Sequence, residues 1–226
     1  MRFSALSVIF LCLYCLLSAV NCSGLKYRAG GKVEILTKPL LLILLLVFYL
    51  LMLHLNVPSP KTQWAIRTAM IFYSIGDFFM IWPKKLYLFI AGILFFALGH
   101  VWYSIFFLTL RLRHSLLAFL ISLVFCALGL LLLRRKLSKT DDPMGEKMMP
   151  YGVFLAFLIS SAASTVSGGR PAAAVLAIAG GVVFSLSDAL IGIRTTGQSI
   201  PKGEPVMITY TAAQLMLAFG ALLLQM

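Results

Sequence analysis

The sequence predicts an all-α, polytopic membrane protein of about eight transmembrane helices. Three observations predict it. Of 226 residues, 61% are hydrophobic and only 12% charged, against roughly 45–50% and 25% in soluble domains. Eight apolar stretches approach the roughly 20 residues a helix needs to cross about 30 Å of hydrocarbon. The breaks between them carry turn residues and most of the charge. A water-soluble fold of this size is excluded.

The stretches cover residues 4–21, 36–55, 64–82, 86–108, 115–134, 149–165, 171–193 and 205–225. Pro58, Ser59 and Pro60 close the second and Pro83 the third; Asp141, Asp142 and Pro143 lie in the longest loop, and Gly168, Gly169 and Pro201 separate the last three. These residues favour turns over continued helix. The sixth stretch is short and rich in Ser and Ala. The whole reads as one membrane domain. Residues 1–35 hold the first span and a basic loop, and residues 36–225 hold the core.

The opening has Arg2, an apolar run and then Ser18, Ala19, Val20, Asn21 and Cys22, which is the form of a cleavable signal peptide. Charge placement argues instead for a retained first span, a signal anchor. The 19 Lys and Arg against 7 Asp and Glu give +12, and the basic residues sit near the ends of apolar runs. There they meet lipid headgroups and set orientation; no nucleic-acid partner is implied. The side with the first, third, fifth and seventh loops carries 13 basic residues, including Lys26, Arg28 and Lys32, and the other side 6. The positive-inside rule puts the 13 in the cytosol, which leaves the first span uncleaved and both termini in the lumen. The sequon at Asn21 then lies too near the membrane for glycosylation. Cys12, Cys15, Cys22 and Cys126 make neither a disulfide framework nor, with no Cys/His cluster at ligand spacing, a zinc site.

Of the seven acidic residues, Glu34, Asp141, Asp142, Glu146 and Glu204 fall in loops or at span edges, and only Asp77 and Asp188 lie within apolar stretches. An intramembrane carboxylate costs about 2.5–3.5 kcal/mol on insertion scales. An interhelical hydrogen bond returns only about 0.6–2 kcal/mol, so a purely structural pair is the weaker reading. The segments YSIGDFFMI (73–81) and FSLSDALIG (184–192) align around the two Asp residues, which makes spans one to four and five to eight candidate parallel repeats. With spans ending at 82 and 193, each Asp lies about 7–8 Å from the same membrane face. Ala173, Ala177, Gly181 and Ser185 form a small-residue ridge leading to Asp188, while Ala69 and Tyr73 precede Asp77 on its helix face. Both carboxyls are expected to point into the bundle.

Other polar groups recur with the repeat. The residue 23 beyond Asp77 is His100 and 23 beyond Asp188 is Thr211; 26 beyond gives Tyr103 and Gln214. Lys38 opens span two, and Tyr210 lies on span eight. Each has a plainer reading: Lys38 as a snorkelling headgroup anchor, His100 as a core histidine satisfied by a carbonyl, Trp82 and Tyr87 as interfacial aromatics. No nucleophile elbow, zinc-protease or phosphate-loop motif is present, so chemistry falls to carboxyls in an apolar cavity.

The sequence resembles the lysoplasmalogenase (YhhN-like) family of multispanning membrane hydrolases. The resemblance is carried by Lys38 and Pro39; by Gly76 and Asp77 with Ile81, Trp82 and Pro83; and by Gly92 with His100 and Tyr103. Phe184 to Asp188 and Ile208 to Gln214 complete it. It runs with gaps from about residue 36 to 225; residues 1–35 and the basic loop from Arg134 to Lys147 lie outside it. It implies eight transmembrane helices in the endoplasmic reticulum membrane. It also implies hydrolysis of the vinyl-ether bond of lysoplasmalogens to a fatty aldehyde and glycerophosphocholine or glycerophosphoethanolamine, with Asp77 and Asp188 as catalytic carboxyls and no cofactor or metal.

Vinyl-ether hydrolysis proceeds by protonation of the outer vinyl carbon, water addition to the resulting oxocarbenium ion, and collapse of the hemiacetal. Two carboxyls can divide these roles, as they do for the oxocarbenium ions of glycosidases. His100, Tyr103, Tyr210 and Gln214 are expected to orient substrate or water, and Lys38 to meet the phosphate. The rival classes are a proton-coupled transporter, since buried acids and repeats are also transporter features, and a structural protein stapled by its Asp pair. The first predicts flux without turnover, and the second a loss of stability alone.

Overall fold

The computed structural model describes residues 1–23, 32–57, 63–82, 84–110, 112–137, 149–195 and 204–226. Pro58, Ser59, Pro60, Pro83, Asp141, Asp142, Pro143, Glu146, Pro201, Lys26 and Arg28 lie outside the described residues, as do the side chains of Lys32, Arg194 and Glu204. The described residues form α1 (Ala5–Cys22), α2 (Lys32–Asn56), α3 (Gln63–Phe79), α4 (Leu86–Thr109), α5 (Leu116–Leu137), α6 (Met149–Ser164), a 3-10 turn (Thr165–Ser167), α7 (Pro171–Thr195) and α8 (Glu204–Gln225). The all-α class therefore holds, and the eight expected stretches coincide with eight helices to within a few residues.

Seven of these helices are long and apolar enough to cross a membrane, which makes this an integral membrane protein. The exception is α3, not the short sixth stretch. At 17 residues it rises only about 26 Å, and it carries Arg67 and Asp77. Its α-helix stops at Phe79, and i to i+3 bonds from Ile81 to Phe78 and from Trp82 to Phe79 tighten the chain thereafter. A proline at 83 disfavours helical geometry at the preceding Trp82. Asp77 is thus two residues from its helix end while Asp188 is seven from its own, so the equal depths expected from the spans do not carry over to the helices.

The chain divides into two compact units, residues 1–110 with 221–226, and residues 111–220. The boundary falls where the two expected four-span halves meet.

In the first unit, α1 shows how the helices choose their faces. Ser4 and Ser7 form a capping box at its start, and its buried residues are Ser7, Tyr14 and Asn21. Seven apart, they form one stripe, while Leu6, Ile9, Leu13 and Leu16 face outward. In lipid, apolar side chains gain nothing by turning inward, so polar ones mark the packed face. Asn21 bonds Leu17 O and accepts from Thr37 Oγ1 of α2 at 3.2 Å; the sequon asparagine is buried and engaged. Packing of α3 on α4 depends on glycines: a Cβ at Gly76 would meet Gly92 O at 3.3 Å, and one at Gly99 would enter the Tyr73 ring.

In the second unit, α5 packs on α6 and α6 on α7. No described α5 residue is buried, and Leu116, Leu117 and Phe125 are about 70% exposed. Such a surface suits contact with lipid rather than water. Between α6 and α7 the turn passes through Gly169 at φ 83°, a backbone that glycine adopts without strain. Helices α7 and α8 touch backbone to backbone: a Cβ at Gly180 would lie 2.9 Å from Leu217 N, and one at Gly220 2.8 Å from Ala177 N.

Gly180→Leu is therefore expected to cost about 1–3 kcal/mol in detergent unfolding, because backbone cannot yield as a side chain can. Gly129→Ala, whose Cβ meets nothing within 4 Å, should leave stability unchanged or raise it by under about 1 kcal/mol.

Candidate functional site

In the first unit, helical periodicity sets Tyr73 and Asp77 one turn apart on α3, and both are inside, Asp77 at 1% exposure. The Tyr73 hydroxyl is 2.6 Å from His100 Nδ1 on α4. The plain reading of His100 as a satisfied core histidine gains a tyrosine hydroxyl as partner. The Tyr73 ring stacks on Tyr103 at 5.7 Å and meets the His100 ring edge-on at 5.3 Å. Tyr103 is fully buried, and its hydroxyl has no hydrogen-bond partner among the described residues. Tyr14, buried on α1, lies within electrostatic range of Asp77.

Lys38 is half-buried and pairs with Glu34 one turn earlier, Nζ to Oε1 3.7 Å. Its neighbour Pro39 is joined to the Asp77 helix, because Ser74 Oγ donates to Pro39 O at 2.8 Å. The unit thus carries Lys38, Tyr73, Asp77, His100 and Tyr103 on three helices packed in succession, α2 on α3 and α3 on α4.

In the second unit, Asp188 lies on α7 at 8% exposure and accepts a 2.6 Å hydrogen bond at Oδ2 from the hydroxyl of Tyr151 on α6. A hydroxyl donating to a carboxylate at this distance is among the stronger hydrogen bonds. Asp188 stands in the wall of a cavity of about 390 Å³ enclosed by α5, α6 and α7. Tyr151 and Ser185 also line it; most of the rest is Leu, Ile, Val, Ala and Gly. One residue before Asp188, Ser187 Oγ donates to Val206 O of α8 at 3.1 Å. One turn before it, Phe184 meets the Tyr210 ring edge-on at 5.5 Å. Thr211 bonds Met207 O within its own helix. Gln214 is fully buried, and neither end of its amide has a partner among the described residues.

Of the expected ridge of Ala173, Ala177, Gly181, Ser185 and Asp188, all are buried except Ser185, which is partly exposed. At the position 26 beyond each Asp, Tyr103 in one unit and Gln214 in the other are both wholly buried and both without a hydrogen-bond partner among the described residues. Tyr151 was not foreseen: a tyrosine at a span end reads as an interfacial anchor, and only its partner distinguishes it. Tyr73 was placed on the Asp77 face but not paired with His100. No disulfide joins the four cysteines, and no cluster of His, Cys, Asp or Glu able to hold a metal occurs among the described residues.

Residues 33–221 match the YhhN family. Over 168 residues the chain is 31% identical to lysoplasmalogenase TMEM86B of Mus musculus, covering 73% of this chain and 66% of that protein. Over 167 residues it is 29% identical to lysoplasmalogenase TMEM86B of Homo sapiens, again covering 73% and 66%. The chain thus matches just under two thirds of the length of these relatives. No solved structure matches it.

Tyr73→Phe strands a buried imidazole nitrogen and should cost about 1–3 kcal/mol in detergent unfolding. Replacing both partners with Tyr73→Phe/His100→Leu should recover part of that loss, since neither end of this hydrogen bond is then left facing an apolar group.

Proposed function

The chain belongs to the YhhN family, and we propose that it is a lysoplasmalogenase, hydrolysing the vinyl-ether bond of lysoplasmalogens with Asp77 and Asp188 as an acid–base pair. The observation that carries this reading is Asp188 in the wall of an apolar cavity, hydrogen-bonded by Tyr151. A carboxyl beside hydrocarbon-sized space is where a reactive bond at the head of a lipid chain needs its acid or base. Family membership and the named activity of the relatives support the same reaction.

One carboxyl donates a proton to the outer vinyl carbon, and the C=C electron pair forms the new C–H bond. The other stabilises the oxocarbenium ion that remains and takes a proton from the attacking water. The hemiacetal then loses its glycerol oxygen as an alcohol and its hydroxyl proton, giving the fatty aldehyde. Overall, one water is consumed and no electron is transferred. His100, Tyr103, Tyr210 and Gln214 orient substrate or water, and Lys38, paired with Glu34, adds positive charge that attracts the anionic headgroup. The substrate is a lysophospholipid in the bilayer, and the resident membrane is that of the endoplasmic reticulum.

Detergent-purified protein should release fatty aldehyde from 1-alkenyl-glycerophosphocholine or -ethanolamine and none from the ester-linked lyso analogue. Asp77→Asn and Asp188→Asn should each lower turnover about 10²-fold or more. Turnover unchanged in either folded variant removes that residue from the reaction.

A further inference from the structure

We infer that the cavity of the second unit seats a single-chain phospholipid in one polarity, its aliphatic chain toward Ile159 and Val182 and its phosphate toward Arg134 and Arg135. This rests on the hydrolase reading for the identity of the lipid, and on the cavity alone for its chemistry.

The axis of the cavity follows from its walls. A Cβ at Gly152 would meet Leu130 Cδ2, and one at Gly181 would lie 2.8 Å from Ile159 Cγ1, while Tyr151 bonds Asp188. These contacts fix the three helices as alternating in direction. Leu130, Tyr151 and Asp188 stand at one level, and Cys126, Ile159 and Val182 lie at one end. Leu133, Met149 and Ile193 lie at the other end, and all of these residues line the cavity. Along α7 the lining runs from Val182 to Ile193, a rise of about 16 Å. Asp188 stands about 9 Å from the Val182 end. Toward that end the lining side chains are apolar, apart from the Cys126 thiol and Ser185, whose hydroxyl is turned to Gly181 O at 3.0 Å.

Past the opposite end the chain turns cationic: Arg134 and Arg135 directly follow Leu133 and are exposed. Guanidinium groups recognise phosphate through paired, charge-assisted hydrogen bonds. Read along the axis, the order is hydrocarbon, carboxyl, cations. A lysoplasmalogen has the same order in chain, vinyl ether and phosphate. The cavity also opens sideways, since Val182 and Leu186 line it and are each more than half exposed. No described residue of α5 is buried, so a lipid reaches the carboxyl from the bilayer without crossing water.

Two positions make this testable without disturbing the fold. Gly129 lines the cavity at the level of Asp188, and a Cβ there meets nothing within 4 Å, so Gly129→Phe fills the cavity without displacing a neighbour. Cys126 lines the chain end and reports occupancy by its rate of alkylation with N-ethylmaleimide, separated from Cys12, Cys15 and Cys22 by peptide mass spectrometry.

In diacylphosphatidylcholine nanodiscs, the stable ether 1-O-hexadecyl-glycerophosphocholine should slow Cys126 alkylation several-fold. Gly129→Phe, or Gly129→Leu should the larger side chain impair folding, should abolish this protection, while the outward-facing control Leu132→Phe keeps it. Arg134→Gln/Arg135→Gln should raise the half-protecting concentration of the phospholipid roughly ten-fold and leave protection by the uncharged 1-O-hexadecyl-glycerol unchanged. Absence of protection, or protection indifferent to both Gly129 variants, overturns the chain site. An Arg variant that weakens both ligands equally, or neither, overturns the polarity. Aldehyde release is scored separately: protection without vinyl-ether turnover in the wild type sinks the hydrolase reading and keeps the site, and turnover without protection does the reverse.

Discussion

In hydrocarbon a leucine gains nothing by turning inward, and every other feature of this protein depends on that constraint. With the hydrophobic effect silent between helices, small and polar side chains decide which faces meet. The inward stripe of α1 is Ser7, Tyr14 and Asn21, the reverse of a soluble amphipathic helix. Glycine at 76 lets α3 approach α4, and glycines at 180 and 220 bring α7 and α8 into backbone contact. On α5, where leucine dominates, no described side chain is buried.

The same constraint separates the two carboxyls. Asp77 sits at 1% exposure one turn from a tyrosine that pairs with His100, in a unit whose polar groups are packed against aromatic rings. Asp188 is at 8%, in a cavity wall, with a tyrosine hydroxyl on Oδ2. Two chemically identical side chains in matching sequence contexts thus meet different surroundings, one enclosed and one with open space beside it. A hydrolysis that asks one carboxyl for a proton and the other for a negative charge requires such a difference.

The helices were legible because a run of about 20 apolar residues has few other uses, and the carboxyls because their insertion cost demands a reason. The inward ridge ending at Asp188 followed from spacing alone. Less legible was anything decided between helices. Pairing of Tyr151 with Asp188 joins residues 37 apart, and that of Tyr73 with His100 residues 27 apart; neither spacing is periodic, and tyrosines in membrane proteins have a ready alternative explanation at interfaces. The length of α3 was overread because its apolar pattern continues to Trp82 while its α-helical hydrogen bonding does not. The cavity had no signature, since Gly129 looks like any other small residue in a leucine-rich span.

Tyr103 and Gln214 extend the sequence echo into physical terms. Each lies 26 residues beyond its Asp, and each is buried without a hydrogen-bond partner among the described residues. An unsatisfied buried polar group costs about 1–3 kcal/mol, and apolar side chains of similar size would pack those positions at less expense. Loss of stability at one position is unremarkable; at the same register in both halves it calls for a common reason. A hydrolase working within hydrocarbon must hold the water it consumes, and a buried hydroxyl and amide supply the donors and acceptors that a held water requires. On the proposed reaction, each half thus gives up stability for a polar side chain that chemistry uses and packing does not, which is a reason for it to recur at the same spacing from its carboxyl.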